Sequence, residues 1–224
     1  LLNVFDLDAL DQLLIECGDN LAGLITEAPT NPLIQTPDLE KIAARVRRAG
    51  GLMIVDPSTV SPLNVDILSH SDIIVNSLTK YVANEGDVIA GAIIIPPHCP
   101  QHEVFKEFLR RAIEPLYSRD QARLAFEIDD CEKIVPKINT STAKIVAFLQ
   151  NHPGIRKVYW SLETETAQNF QKIARVSDAI GGLITFELTG KLSDFYDKVA
   201  LAKGPSFGIK TSILCPFMYL AHYN

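Results

Sequence analysis

Lys80 is the residue of this sequence whose setting most suggests covalent chemistry. It stands in Ser77-Leu78-Thr79-Lys80-Tyr81, directly after an apolar stretch with the pattern of a strand. An amine at a strand end, partly withdrawn from water, holds its proton less tightly and becomes a nucleophile. Ser77 and Thr79, at i−3 and i−1, set beside it two hydroxyls that can bind phosphate oxygens. Asp56 closes the apolar run LMIVD and precedes Pro57. Such an acid either forms a turn or holds a negative charge against a cationic ligand nitrogen. In Glu27-Ala28-Pro29-Thr30-Asn31-Pro32, two X-Pro bonds that tolerate the cis form can hold Asn31 rigidly toward a crevice; a plain strand-exit loop is the other reading. Lysines after strands are common on surfaces, so none of these residues stands alone as evidence. His98 and His102 bracket Cys99-Pro100; a polar loop is the expectation there, and no metal site is predicted.

These residues need elements to hold them. Helical periodicity covers 6–16, with an aspartate-rich start, and 37–48, with acids early and bases late as the helix dipole favours. Apolar runs at 21–26, 52–56, 72–76 and 88–95 predict strands. Short continuous apolar strands alternating with helices indicate an α/β fold, with a mostly parallel sheet covered on both faces. Ligands gather outside the carboxyl ends of such strands, and here those ends carry Glu27, Asp56 and the stretch 77–80. A carboxylate and a lysine meeting above a parallel sheet is the arrangement that pyridoxal phosphate needs. The amine forms a Schiff base and the acid keeps the pyridine nitrogen protonated, so that the ring takes up electrons.

The second half changes character. One long helical region spans 119–150, interrupted near Pro136. A strand at 155–160, a helix at 164–175, a strand at 182–188 and a helix at 192–202 follow. This predicts residues 1–120 as part of a large domain and 121–224 as a linking helix with an incomplete, smaller α+β domain. Charge and composition exclude other classes. The formal charge is −6 with no basic stripe, so no nucleic-acid partner is expected. No apolar run reaches the ~18 residues of a membrane span. The four scattered cysteines read as reduced thiols, which suggests the cytoplasm. By size scaling, a chain of 24.7 kDa would expose about 10,000 Å² once folded.

Six segments, in order, resemble the Cys/Met-metabolism family of pyridoxal-phosphate enzymes, the transsulfuration group that includes cystathionine γ-synthase. EAPTNPL resembles E-T-P-S-N-P-L, and LMIVDPSTVSP resembles a run ending V-D-N-T-F-A-T-P. DIIVNSLTKY resembles D-I-V-V-H-S-A-T-K-Y, and GDVIAGAIII resembles S-D-V-x-G-G-A-V-V. Later, AFLQNHPGIRKVYW resembles A-x-F-L-x-x-H-P-x-V-x-x-V-x-Y, and SFGIKTSILCP resembles S-L-G-G-V-E-S-L-x-x-H-P.

The resemblance implies fold type I, the aspartate-aminotransferase-like fold, and elimination or replacement at the β or γ carbon of sulfur amino acids or activated homoserine. It implies that Lys80 holds the cofactor and shuttles protons, that Asp56 pairs with the pyridinium nitrogen, and that Ser77 and Thr79 contact the phosphate. Asn31 would meet the phenolic oxygen, Ser206 would lie near the substrate, and the assembly would be a homodimer or homotetramer. Three positions depart from the pattern: Pro57 where Asn is usual, Glu85 where His is usual, and Thr211 where Glu is usual. The family's subunit-bridging arm, phosphate-cradling glycine loop, ring-stacking tyrosine and carboxylate-gripping arginine have no counterparts here, so a fragment is expected. The alternatives are a non-catalytic remnant of this fold or another fold-type-I enzyme.

Overall fold

The structure, a computed structural model, describes residues 3, 5–163 and 165–221. Helix α1 (Leu7–Cys17) starts where the Asp6 carboxylate caps the Ala9 N–H, and it buries Leu10 and Leu14. Strand β1 (Gly23–Glu27) follows, then α2 (Leu39–Arg48), capped by Asp38, with arginines in its last turn. Strands β2 (Leu52–Asp56), β3 (Ile73–Ser77) and β4 (Gly91–Ile94) complete a four-stranded sheet in chain order. β1, β2 and β3 are parallel, with Glu27 opposite Asp56 in the register.

β4 is antiparallel to β3, and it is shorter than the strand predicted over 88–95. A parallel return needs a crossover of a dozen or more residues, usually a helix. Residues 78–90 hold no helix; instead Val88 and Ala90 pack with Ala83 in a small buried cluster.

The main core joins Leu10, Ile42, Val46, Met53 and Val55. Covering on both faces is corrected: Ile25 of β1 is 68% exposed, and Ile93 and Ile94 of β4 are also open. The accessible surface is 13,287 Å², well above the size-scaling expectation of about 10,000 Å². Helix α3 (His102–Ala112) is absent from the sequence-based expectations, although Val104, Phe105, Phe108, Leu109 and Ala112 recur at helical spacing along one face; none of its residues is buried. It carries Glu107–Arg110 and Glu107–Arg111 pairs at helical spacing.

The long helical region divides into α4 (Ser118–Glu127) and α5 (Cys131–Gln150), with a 3-10 turn over Ile128–Asp130 between them. The break therefore lies before Pro136, which α5 accommodates in its second turn at the loss of one backbone hydrogen bond. β5 (Ile155–Tyr159) pairs antiparallel with β6 (Thr185–Leu188), and α6 (Ala167–Ile173) lies between them in sequence. The predicted start of that helix at 164 lies outside the described residues. α7 (Leu192–Tyr196) ends earlier than predicted, because Ala202–Lys203 (β7) pairs with Ile213–Leu214 (β8). Helix α8 (Phe217–Ala221) follows.

A separate small domain is not evident. Phe170 and Ile173 of α6 enter the main core, and Arg175 N–H donates to Asn64 O. Beside them, Tyr81 is buried, donating to Thr59 O (2.8 Å) and accepting from Gly182 N–H (2.8 Å). Tyr81→Phe strands both backbone groups and should cost about 1–3 kcal/mol. Urea unfolding checks this: the midpoint should fall with an unchanged slope, and an unmoved midpoint refutes the joint.

Candidate active site

The ends of the parallel strands converge as the sequence pattern requires. A cavity of about 200 Å³ is lined by Glu27, Asn31, Asp56, Ser58, Thr59, Ser77, Lys80 and Phe207. Asp56 lies at the end of β2, and its carboxylate accepts from Ser58 N–H (2.8 Å). The Ser58 hydroxyl in turn accepts from Ser77 N–H (2.7 Å), which ties the end of β3 to the end of β2. Asn31 sits between cis Ala28-Pro29 and cis Asn31-Pro32 bonds, and its N–H donates to the Glu27 carboxylate (2.9 Å).

Lys80 is half-buried and lines the cavity. Partial burial lowers its proton affinity, because a charged ammonium loses hydration there. Its Nζ donates to Ser206 Oγ (3.3 Å) and stands 4.9 Å from the centre of the Phe207 ring. These two residues come from 126 and 127 positions further along the chain, and only the tertiary fold brings them to the amine.

Thr79 is placed differently from the other residues singled out in the sequence. Its hydroxyl accepts from Ala90 N–H (2.9 Å) and donates to Ala90 O (3.2 Å), and it does not line the cavity. It braces the loop after Lys80 instead. Asn31, Asp56, Ser77 and Lys80 do meet in one cavity.

Sequence reasoning placed Glu27 at a strand end without giving it a role, and it missed Ser58, Thr59 and Phe207 as members of the site. Glu27 already stood at a strand end in the motif, and its register opposite Asp56 is the signal that could have found it. Phe207 carried no signal beyond its adjacency to Ser206. The residue Glu27 is open to solvent on one side. Partial burial of its carboxyl nevertheless raises its proton affinity, against the Asn31 N–H that lowers it, and nearby Asp56 raises it further.

The donor set suits pyridoxal phosphate. An amine, an acid for a ring nitrogen and hydroxyls for phosphate oxygens share one cavity. The histidines do something else. His98 Nε2 lies 2.9 Å from Ser71 O and His102 Nδ1 lies 3.0 Å from Pro96 O, and a carbonyl can only accept, so each of these nitrogens carries a proton. Among the described residues no cluster of His, Cys, Asp or Glu suits a metal. No helix among them is long and apolar enough to cross a membrane.

The profile of the Cys/Met metabolism PLP-dependent enzyme family matches residues 2–222. The chain belongs to that family. Among curated relatives of this Cys/Met-metabolism chain, the L-2-amino-4-chloropent-4-enoate dechlorinase/desaturase of Streptantibioticus cattleyicolor is 35% identical over 220 residues. That match covers 98% of this chain and 44% of the relative. The cystathionine gamma-synthase of Neurospora crassa is 31% identical over 222 residues, covering 98% of this chain and 36% of that protein. The crystal structure of a cystathionine gamma-lyase (CalE6) from Micromonospora echinospora superposes with a TM-score of 0.86 at 21% identity. The superposition covers 99% of this chain and 58% of the other, and it establishes the shared fold. The chain thus spans under half the length of these curated relatives of the Cys/Met-metabolism family.

Family members bind pyridoxal phosphate, and the cavity provides for it. Holding the Glu27 proton more tightly than the unfolded chain does means that ionisation of Glu27 opposes folding. That cost is absent below the ordinary glutamate value of 4.5 and grows as pH rises through the folded value. Glu27→Gln, which keeps an acceptor for Asn31 N–H, should raise the urea midpoint modestly at pH 7 and not below pH 4.5. An equal gain at both pH values would rule out the carboxyl's charge as the cause.

Proposed function

We propose that the chain is part of a pyridoxal-phosphate enzyme that eliminates or replaces a group at the β or γ carbon of a sulfur amino acid or an activated homoserine. The observation that carries this reading is Lys80 Nζ, with its lowered proton affinity, in one cavity with Asp56 at the carboxyl ends of parallel strands. The cofactor would supply an electron sink for the charge that develops at the substrate's α carbon. Lys80 would hold it covalently, Asp56 would keep its ring nitrogen protonated, and Asn31 would face its phenolic oxygen. Ser77 would bind phosphate oxygens. Thr79 would act by fixing the loop, since both functions of its hydroxyl go to Ala90.

In the reaction Lys80 Nζ is the base that removes the α proton and later returns it. Its proton affinity is lowered by partial burial, which is the direction a base acting as a neutral amine needs. Ser206 Oγ orients that amine, and the Phe207 ring shields it from water on one side. Residues 1–120 supply the cofactor side of this arrangement, and 121–224 supply the wall that carries Ser206 and Phe207.

The open β1 and β4 faces, together with the short coverage of relatives, support an active unit that includes more polypeptide and a second copy, as a homodimer or homotetramer. Four unpaired cysteines suit a cytoplasmic setting.

The test is an absorption spectrum of the protein with added pyridoxal phosphate, repeated on Lys80→Ala. A visible band present in the parent and lost in the variant is expected. Identical bands in both would remove Lys80 from the proposal, and no band in either would favour the non-catalytic reading.

A further inference from the structure

The amine of Lys80 is covered by a segment that has little structure of its own. Residues 204–212 form neither helix nor strand, yet Ser206 and Phe207 sit against Lys80 Nζ. Something must hold this segment down. Gly208 presses on the Tyr81 ring; with φ +75° it needs glycine's freedom, and an added Cβ would lie 2.9 Å from the ring. Two residues further on, Lys210 N–H donates to Asn84 O (2.9 Å), and the Lys210 ammonium pairs with the Glu85 carboxylate.

The other half of this contact is firmly seated. Glu85 N–H donates to the buried Glu127 carboxylate of α4 (3.0 Å), and the Asn84 side chain donates to Glu127 O. The loop after Lys80 is therefore a fixed post, and the segment around Phe207 is the part that can lift. Both members of the pair depart from the family stretches quoted above: Glu85 stands where His is usual, and Lys210 stands opposite the Val of S-L-G-G-V-E-S. The departures are complementary in charge.

We propose that the Glu85–Lys210 ion pair is a clasp that holds Ser206 and Phe207 over Lys80, a positioning device for the amine. With the clasp closed, the amine is shielded on one side. With it open, the segment lifts and water reaches Nζ. The charged groups that face Lys80 from the strands packed around it are Glu27 of β1 and Asp56 of β2. Neither belongs to the clasp, so substitutions at 85 and 210 leave them in place.

The experiment follows the pH midpoint of Lys80 acetylation by trace acetic anhydride, read by peptide mass spectrometry, with other lysines as internal standards. It needs no cofactor, so its outcome is independent of the proposed reaction. Glu85→Gln and Lys210→Met should each move the Lys80 midpoint upward by about half a pH unit, the scale a partly exposed ion pair can transmit. The shared sign is the discriminating feature. Through-space charge alone would lower the midpoint when Glu85 is neutralised and raise it when Lys210 is neutralised. The double reversal, Glu85→Lys with Lys210→Glu, should return the midpoint to that of the parent. Unmoved midpoints, shifts of opposite sign, or a double reversal equal to the sum of its parts would each overturn the clasp. If the reversed pair folds poorly by circular dichroism, the signs of the two neutral variants decide.

Discussion

The hydroxyl of Tyr81 is the joint on which the site's geometry depends. It donates to Thr59 O in the loop after β2 and accepts from Gly182 N–H before β6, so one buried oxygen fastens two distant stretches to the residue after Lys80. Burial raises the proton affinity of this phenol, despite the Gly182 N–H that lowers it, and the group stays a neutral donor. Its ring also forms the floor against which Gly208 packs. Were the joint loosened, Ser206 and Phe207 would lose their bearing on Lys80 even though neither touches the hydroxyl.

Around this joint the polar groups form a short relay. Asp56 holds Ser58, Ser58 holds Ser77, and Thr79 is closed onto Ala90, so the backbone on both sides of Lys80 is committed before any ligand arrives. Such commitment is how a lysine can be aimed to a fraction of an ångström from a loop. The groups with capacity left in the cavity are the ones the chemistry calls for: the amine, which gives one hydrogen bond to Ser206, the second carboxylate oxygen of Asp56, and the amide of Asn31. Glu27 adds a second acid whose ionisation works against folding. A group kept at a cost to stability is the pattern expected of a functional position rather than a packing one.

The uncovered apolar surface has the same origin as the missing small domain. A sheet with open β1 and β4 faces, an α3 with no buried residue, and a second half whose sheets hold two strands each are not arranged to bury their own apolar residues. The core that does close draws on both halves, with Phe170 and Ile173 of α6 packed beside residues of α1, α2 and β2.

What the sequence alone determined was local. The apolar runs that become β1, β2 and β3, the helices begun by acid-rich turns near 6 and 38, and the placing of Asp56 and Lys80 at strand ends all follow from period, turn chemistry and short-range sterics. The family motifs added expected roles for Asn31 and Ser77, which local sequence had already singled out. Contacts between distant residues were decided only in three dimensions. Nothing at position 207 foretells a ring beside Lys80, and the antiparallel return of β4 depends on residues 78–90 forming a buried cluster rather than a crossover helix. The apolar spacing over 104–112 made helix α3 legible, but that pattern does not tell that its apolar face meets no core, and Thr79 turned toward Ala90 because a hydroxyl takes the nearest unpaired backbone groups. Periodicity records which face of an element is buried; it does not record what that face meets, and the chemistry of this site lies in those meetings.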